Sequence, residues 1–194
     1  MLVRADLLAG GFLLTFGSCL GQTWFIALSG PSLEAELGLS HGAFGSLYSL
    51  ATLLSGLTLM WLGGKIDVLT PRWMAVAITV GLGLGCFAMA AVGGPVALLA
   101  VFFTLRLCGQ GLMPHLAMTT LGRGFSATRG RAMAIAALGF PAAEGALPAL
   151  VGIALDAGVG MSTVLVACLA LSLAAGPLAA QGMANASRQP PISE

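Results

Sequence analysis

Long apolar runs separated by short polar or glycine-rich breaks make up most of the chain. Each run is close to the ~20 residues that an α-helix needs to cross the hydrocarbon core of a bilayer. The runs do not alternate between apolar and polar residues, as the strands of an outer-membrane barrel would. The pattern therefore predicts an all-α, polytopic membrane protein with six transmembrane helices. The predicted spans are residues 7–28, 42–62, 73–92, 96–121, 131–155 and 161–180.

The six runs are predicted to form one transmembrane domain, residues 1–182, followed by a polar cytoplasmic tail at residues 183–194. The first run is longer than the apolar region of a secretory signal, so we expect it to be retained as a helix. Composition supports a membrane protein, because 58% of the residues are hydrophobic and only 8% are charged. Soluble domains normally have about a quarter of their residues charged, so a water-soluble fold is excluded.

Candidate chemistry is sparse along the chain. The net charge of +1 gives no indication of a nucleic-acid partner. The sequence contains no metal-ligand spacing, no cofactor fingerprint and no nucleophile–base constellation, so we expect neither a metal nor a cofactor, and no enzyme. Four cysteines lie far apart in separate apolar runs and are predicted to pack as reduced thiols: Cys19, Cys86, Cys108 and Cys168.

The basic residues predict the orientation of the chain in the membrane. With six crossings, seven of the eight basic residues fall on one side, whereas the loops on the other side carry Glu34, Glu36 and Asp156. Cytoplasmic loops are enriched in Lys and Arg, so both termini are predicted to be cytoplasmic, in the inner membrane. The seven are Arg4, Lys65, Arg72, Arg123, Arg129, Arg131 and Arg188.

Short similarities at one offset indicate an internal repeat. The stretch "CLGQ" ends at Gln22 and "LCGQ" ends at Gln110, 88 residues later. Likewise "GGKID" ends at Asp67 and "GIALD" ends at Asp156, 89 residues later. With three spans in each unit, the second unit would enter the membrane from the opposite side, which predicts a 3+3 inverted repeat of the kind found in secondary transporters.

Polar residues within the spans predict a shared cavity. Spans one, two, four and five carry polar side chains on a consistent face, whereas spans three and six carry almost none and are expected to face lipid. The alternative is that single Ser, Thr and Gln side chains form hydrogen bonds between helices and line no cavity. The candidate substrate-binding residues are Gln22, Tyr48, Arg106, Gln110 and Glu144.

Two charges are predicted at similar depth in the membrane. Arg106 and Glu144 each lie about 15 Å from the outer end of their span at the rise of an α-helix. One interpretation is a structural ion pair that fixes helix packing. The other is that Arg106 binds an anionic group of a substrate while Glu144 exchanges a proton, and we favour it because buried charges are costly for packing alone.

Three stretches carry a resemblance to a known family. The loop "GGKIDVLTPR" supplies Gly63, Asp67 and Arg72 of a Gly-x-x-x-Asp-Arg-x-Gly-Arg-Arg motif, with departures at the other positions. The stretch "RLCGQG" in span four is similar to an Arg followed by glycines, and "RGRAMAIAALGFP" at 129–141 is similar to the usual entry into span five. The chain thereby resembles the amino-terminal half of a major facilitator superfamily transporter. Its antiporter signature is only partly present, because Phe140 separates Gly139 from Pro141.

The resemblance implies secondary active transport by alternating access, as symport or antiport. Together with Arg106 and Glu144 it predicts a small, anionic or polar metabolite as the substrate and a proton as the candidate coupling ion. It implies a cytoplasmic gate formed by Gly63, Asp67, Arg72, Arg129 and Arg131. Family members have two six-helix halves, so we expect a homodimer of halves or pairing with a separately encoded half, surrounded by membrane lipid. The alternatives are drug or metabolite efflux by the same fold, and a truncated or accessory subunit that does not transport.

Overall fold

The computed structural model describes residues 5–66 and 69–186, and every regular element in those two ranges is helical. A 3₁₀ turn at Ser18–Gly21 and a π-helical segment at Arg106–Leu112 interrupt two of the long helices. The α-helices are α1 (Ala5–Gly17), α2 (Thr23–Leu37), α3 (His41–Ile66), α4 (Pro71–Met89), α5 (Pro95–Leu105), α6 (Met113–Gly124), α7 (Arg129–Ala137), α8 (Gly139–Asp156) and α9 (Met161–Ala186).

Five stretches of the described residues are long and apolar enough to cross a membrane. They confirm the predicted all-α, multi-pass class. The sixth predicted span coincides with α9, and both the sixth crossing and the 3+3 repeat stay predictions. The five are Ala5–Leu37, His41–Lys65, Pro71–Met89, Pro95–Gly124 and Arg129–Asp156.

The first helical stretch ends about nine residues later than the sequence pattern predicts. The pattern assigns Pro31 to a loop, but it lies inside α2, which continues to Leu37. Gly38 ends the helix in the left-handed conformation, with a φ of 61°, which glycine adopts without a steric penalty. The Leu39 N–H closes this end by donating to the Glu34 carbonyl at 3.0 Å. Proline is tolerated here because membrane helices accommodate it when neighbours satisfy the freed backbone groups.

The two interrupted helices cross at a pair of glycines. A Cβ atom built on Gly21 would lie 2.6 Å from the Cα of Gly109, and one built on Gly109 would lie 2.6 Å from the Cα of Gly21. Only residues without a side chain let two backbones approach so closely, as in other membrane helix pairs. The irregular parts of both helices therefore meet at one point.

A third interruption separates α7 from α8 at Leu138. Pro141 has no N–H for the carbonyl four residues earlier, and its ring crowds that carbonyl, which opens the helix at this point. Gly139 then packs against the backbone of α1, where an added Cβ would meet the Thr15 hydroxyl and the Phe12 carbonyl. The Thr15 hydroxyl donates a hydrogen bond to the Ala136 carbonyl at 2.5 Å. This contact anchors the break to α1.

The core lies between α1, α4, α5, α6 and α9. Helix α4 packs along α9, and α9 also packs along α1. Helices α3 and α8 instead leave large apolar side chains uncovered, among them Leu57 at 56% and Ile153 at 66% exposure. The polar pattern predicts that α4 and α9 face lipid, and α4 does expose large apolar side chains such as Leu84, at 58%. A smaller share is buried, however, in the α3 and α7–α8 spans, 17% each, than in the α4 span, 44%.

Candidate functional site

An open polar pocket lies where the first long helix is interrupted. Gln22 is extended, with φ −82° and ψ 163°, between the 3₁₀ turn and α2, so the chain opens at this residue. The pocket has a volume of about 320 Å³. Five described residues line it, from the start of α2 and from α8: Gln22, Thr23, Trp24, Glu144 and Pro148. Two of the predicted substrate-binding residues, Gln22 and Glu144, therefore share one pocket.

Arg106 lies behind the same interruption. Its side chain is 7% exposed, and its Nη1 donates to the Gly21 carbonyl at 3.4 Å. The guanidinium carbon lies 5.2 Å from the centre of the Tyr48 ring, a distance at which a cation is attracted to an aromatic face. Its Nε has no hydrogen-bond partner within the described part of the chain. One donor of a buried cation is thus left available.

Tyr48 connects Arg106 to the pocket wall. The Tyr48 hydroxyl and the Thr23 hydroxyl are hydrogen-bonded at 2.8 Å. Thr23 lines the pocket, and Gly21, two residues earlier, holds Arg106 through its carbonyl. The short segment 21–23 therefore lies between Arg106 and Tyr48 on one side and the pocket on the other.

Glu144 is exposed and does not pair with Arg106. Both side chains belong to the described residues, and their charged atoms do not come within the 4.0 Å of an ion pair. The structural ion pair considered from the sequence is thus not formed in this conformation. Instead, the carboxylate of Glu144 borders the pocket, one helical turn from Pro148.

Gln110, like Arg106 and Tyr48, is a predicted substrate-binding residue that does not line this pocket. It is exposed on the π-helical segment and is not one of the five lining residues. Its backbone nitrogen instead approaches Gly21, because an added Cβ on that glycine would lie 2.9 Å from it.

Sequence reasoning missed Thr23 and Trp24. The Trp24 indole N–H donates to the Cys19 sulfur at 2.9 Å, and its ring meets the Phe25 ring edge-on at a centroid distance of 5.6 Å. These contacts fix the indole ring beside the pocket. The sequence feature that could have indicated these two residues is the matching glycines in "CLGQ" and "LCGQ". Gly21 and Gly109 form the crossing after which the chain opens at Gln22.

The candidate gate residues lie at helix ends. Arg72 is exposed, with its guanidinium carbon 5.4 Å from the Trp73 ring centre, and Arg129 and Arg131 are exposed at the start of α7. Gly63 faces His115, whose Nε2 would lie 3.5 Å from a Cβ added at that glycine. The fifth gate residue, Asp67, lies outside the described residues. Their role as a gate stays a prediction.

The sequence matches a protein-family model, described as Major Facilitator Superfamily, over residues 11–190, which is nearly the whole chain. Comparison with curated proteins and with solved structures gives no match. The matched range includes every residue of the pocket described above.

Proposed function

The chain belongs to the Major Facilitator Superfamily, and from that premise we propose that it is a secondary active transporter of a small polar metabolite. The carrying observation is the pocket lined by Gln22, Thr23 and Glu144 at a broken helix. Discontinuous helices with polar backbone and side chains at their breaks are the usual construction of transporter binding sites. Irregular backbone at membrane depth is tolerated where it lines a cavity.

Alternating access in this proposal is a rocking of helices around the pocket. The interruptions at Ser18–Gly21, at Arg106–Leu112 and at Leu138 supply the places where helix segments can change direction. Glu144 exchanges a proton, and Arg106 supplies a fixed positive charge behind the pocket. The proposal includes the cytoplasmic inner membrane, with both termini on the cytoplasmic side and symport or antiport with protons.

We further propose that the chain is built as a 3+3 inverted repeat. Supporting this, the 3₁₀ turn begins at Ser18 and the π-helical segment begins at Arg106, and these positions have the same 88-residue offset as Gln22 and Gln110. The equivalent glycines, Gly21 and Gly109, touch each other, as residues next to a two-fold axis must. The equivalent helices α4 and α9 also pack together.

The working transporter in this proposal contains two six-helix halves, either two copies of this chain or this chain with a separate half. The uncovered apolar surfaces of α3 and α8 support it, because α8 lines the pocket and α3 contacts the pocket wall through the hydrogen bond of Tyr48 with Thr23. A second half would close the open side of the pocket and shield Glu144 from lipid.

Solute-driven proton movement in proteoliposomes tests the proposal. We expect that adding a transported solute across an imposed pH gradient changes the signal of an enclosed pH-sensitive dye. Glu144→Gln should abolish this response, whereas Glu36→Gln, which changes an exposed carboxylate near the end of α2, should retain it. A correctly folded protein that moves no proton with any solute of a broad metabolite panel would contradict proton-coupled transport.

A further inference from the structure

The accessible charge of the pocket is negative. Of the five described residues that line it, one is charged, and that residue is the exposed Glu144. Arg106 is 7% exposed, and its guanidinium is directed to the Gly21 carbonyl and the Tyr48 ring. A solute that enters the pocket therefore meets the carboxylate of Glu144 before it meets the guanidinium of Arg106.

A fixed aromatic ring stands beside this carboxylate. Trp24 lines the same pocket, and the hydrogen bond from its indole N–H to the Cys19 sulfur holds the ring in place. Tryptophan is the best of the aromatic residues at attracting a cation to its face, and it is used in this way to recognise quaternary ammonium groups. Carboxylate and indole together form a typical recognition site for an organic cation.

One feature of the pocket favours an anion instead. The pocket lies at the amino-terminal end of α2, where free backbone N–H groups are equivalent to roughly half a positive charge. The helix end and the buried guanidinium of Arg106 act from behind the pocket wall, whereas Glu144 is the charged side chain that a solute in the pocket contacts directly, so a cationic group finds its direct partner there. The hydroxyl of Thr23 and the amide of Gln22 can accept hydrogen bonds from N–H groups of a solute.

We propose that the pocket binds a small organic cation, with Glu144 as its counter-ion and Trp24 as its aromatic wall. This inference rests on the proposed function, because it names the substrate class of the same site. It replaces the anionic class that the sequence suggested through Arg106.

Fluorescence of Trp24 gives a direct binding assay. The chain has three tryptophans, so the double variant Trp61→Phe/Trp73→Phe leaves Trp24 as the single reporter. Three probes of nearly equal shape differ in charge: choline, its uncharged analogue 3,3-dimethylbutan-1-ol and the anion 3,3-dimethylbutanoate. In nanodiscs of zwitterionic lipid, we expect a saturable response to choline, with at least about tenfold weaker binding of the other two probes.

Variants in the same background assign the response to the proposed residues. Glu144→Gln keeps the size of the side chain and should weaken choline binding by about tenfold or more, while Glu36→Gln should leave it unchanged. Circular dichroism checks that each variant keeps its helical content. Calorimetry with Trp24→Leu should show a similar loss of choline binding.

Three results would overturn the cation proposal: dimethylbutanoate binding as tightly as choline, choline binding that Glu144→Gln does not alter, or no saturable choline response from the folded protein. The proteoliposome assay separates this failure from failure of the transport proposal. Choline binding without solute-driven proton flux would leave the cation site standing and defeat coupled transport. Proton flux driven by anions, without choline binding, would support coupled transport and defeat the cation site.

Discussion

At the scale of single residues, the crossing of Gly21 and Gly109 determines where the pocket opens. Each glycine lies where a Cβ would be 2.6 Å from the partner's Cα, a distance that real side chains do not reach, and the obstacle is backbone rather than a flexible side chain. The extended conformation of Gln22 follows directly after this contact. The position of the polar wall thus depends on two residues that contribute no polar side chain to it.

Gly109→Ala should therefore destabilise the protein. Overpacking a tight contact costs about 1–3 kcal/mol, because one of the two backbones must move. Gly152→Ala is the matched control in α8, since nothing lies within 4 Å of an added Cβ there, and alanine favours a helix by up to about 1 kcal/mol over glycine. The unfolding midpoint of each variant can be measured with a thiol-reactive dye, because Cys19, Cys86 and Cys168 are buried in the folded protein and react when it unfolds. Equal midpoints for the two variants would show that the crossing is not tight.

Arg106→Lys separates function from folding. Lysine keeps the positive charge, but a compact ammonium lacks the planar fork that reaches the Gly21 carbonyl while lying over the Tyr48 ring. We expect solute-driven flux to fall by about tenfold or more, with a change in the unfolding midpoint of only a few degrees, roughly what 1 kcal/mol produces. Parallel losses in the melt and in the flux assay would assign Arg106 to packing alone.

The sequence predicts part of the residue-scale site. A carboxylate or an amide stands out within an apolar run, which is why the sequence alone identifies Gln22 and Glu144 as candidates. It does not identify Thr23 and Trp24, because they line the pocket only through the extended conformation at Gln22. That conformation arises from a contact between residues 88 positions apart.

At the scale of elements, apolar runs locate the helices but not their interruptions. The helix bounds for the second to fifth predicted spans lie within a few residues of the pattern. The 3₁₀ turn and the π-helical segment leave the apolar composition unchanged, so hydrophobic periodicity cannot detect them. The pattern misplaces the end of the first stretch for a related reason, because it assigns the break to Pro31 whereas Gly38 ends α2.

The break between α7 and α8 should be needed for transport rather than for stability. Pro141→Ala would supply the missing N–H and allow α7 and α8 to join into one helix, and proline inside a helix costs about 3 kcal/mol. We expect unchanged or higher thermal stability together with reduced solute flux, because a straightened helix would carry Glu144 away from Gln22.

Pro31→Ala is the control for this experiment. Pro31 is also inside a helix but is exposed and does not line the pocket. Its replacement should leave flux intact. Normal flux from Pro141→Ala, or an equal loss from both variants, would show that the break has no special role.

At the scale of the whole molecule, the buried and uncovered surfaces suggest how the pocket is completed. Helix α4 packs along α9, and α9 packs along α1, and a larger share of the α4 span is buried, 44%, than of the α3 span, 17%. Helices α3 and α8 present large apolar side chains outward, and the open pocket is lined by α8 and by residues at the start of α2. The sequence indicated two halves only through a resemblance, since the hydrophobic pattern does not distinguish a surface that faces lipid from one that faces a second half.

The mass of the purified protein in nanodiscs should correspond to two chains or more, each of 19.5 kDa. If α3 lies in the interface, Leu57→Asn should lower the dimer fraction, because it places an amide in an apolar contact. Leu84→Asn on α4 is the matched control, since Leu84 is 58% exposed and Leu57 is 56% exposed. A single chain that still moves solute would contradict assembly from two copies. A single chain without flux would instead direct the search to a separate six-helix partner, whose addition should restore proton movement through Glu144.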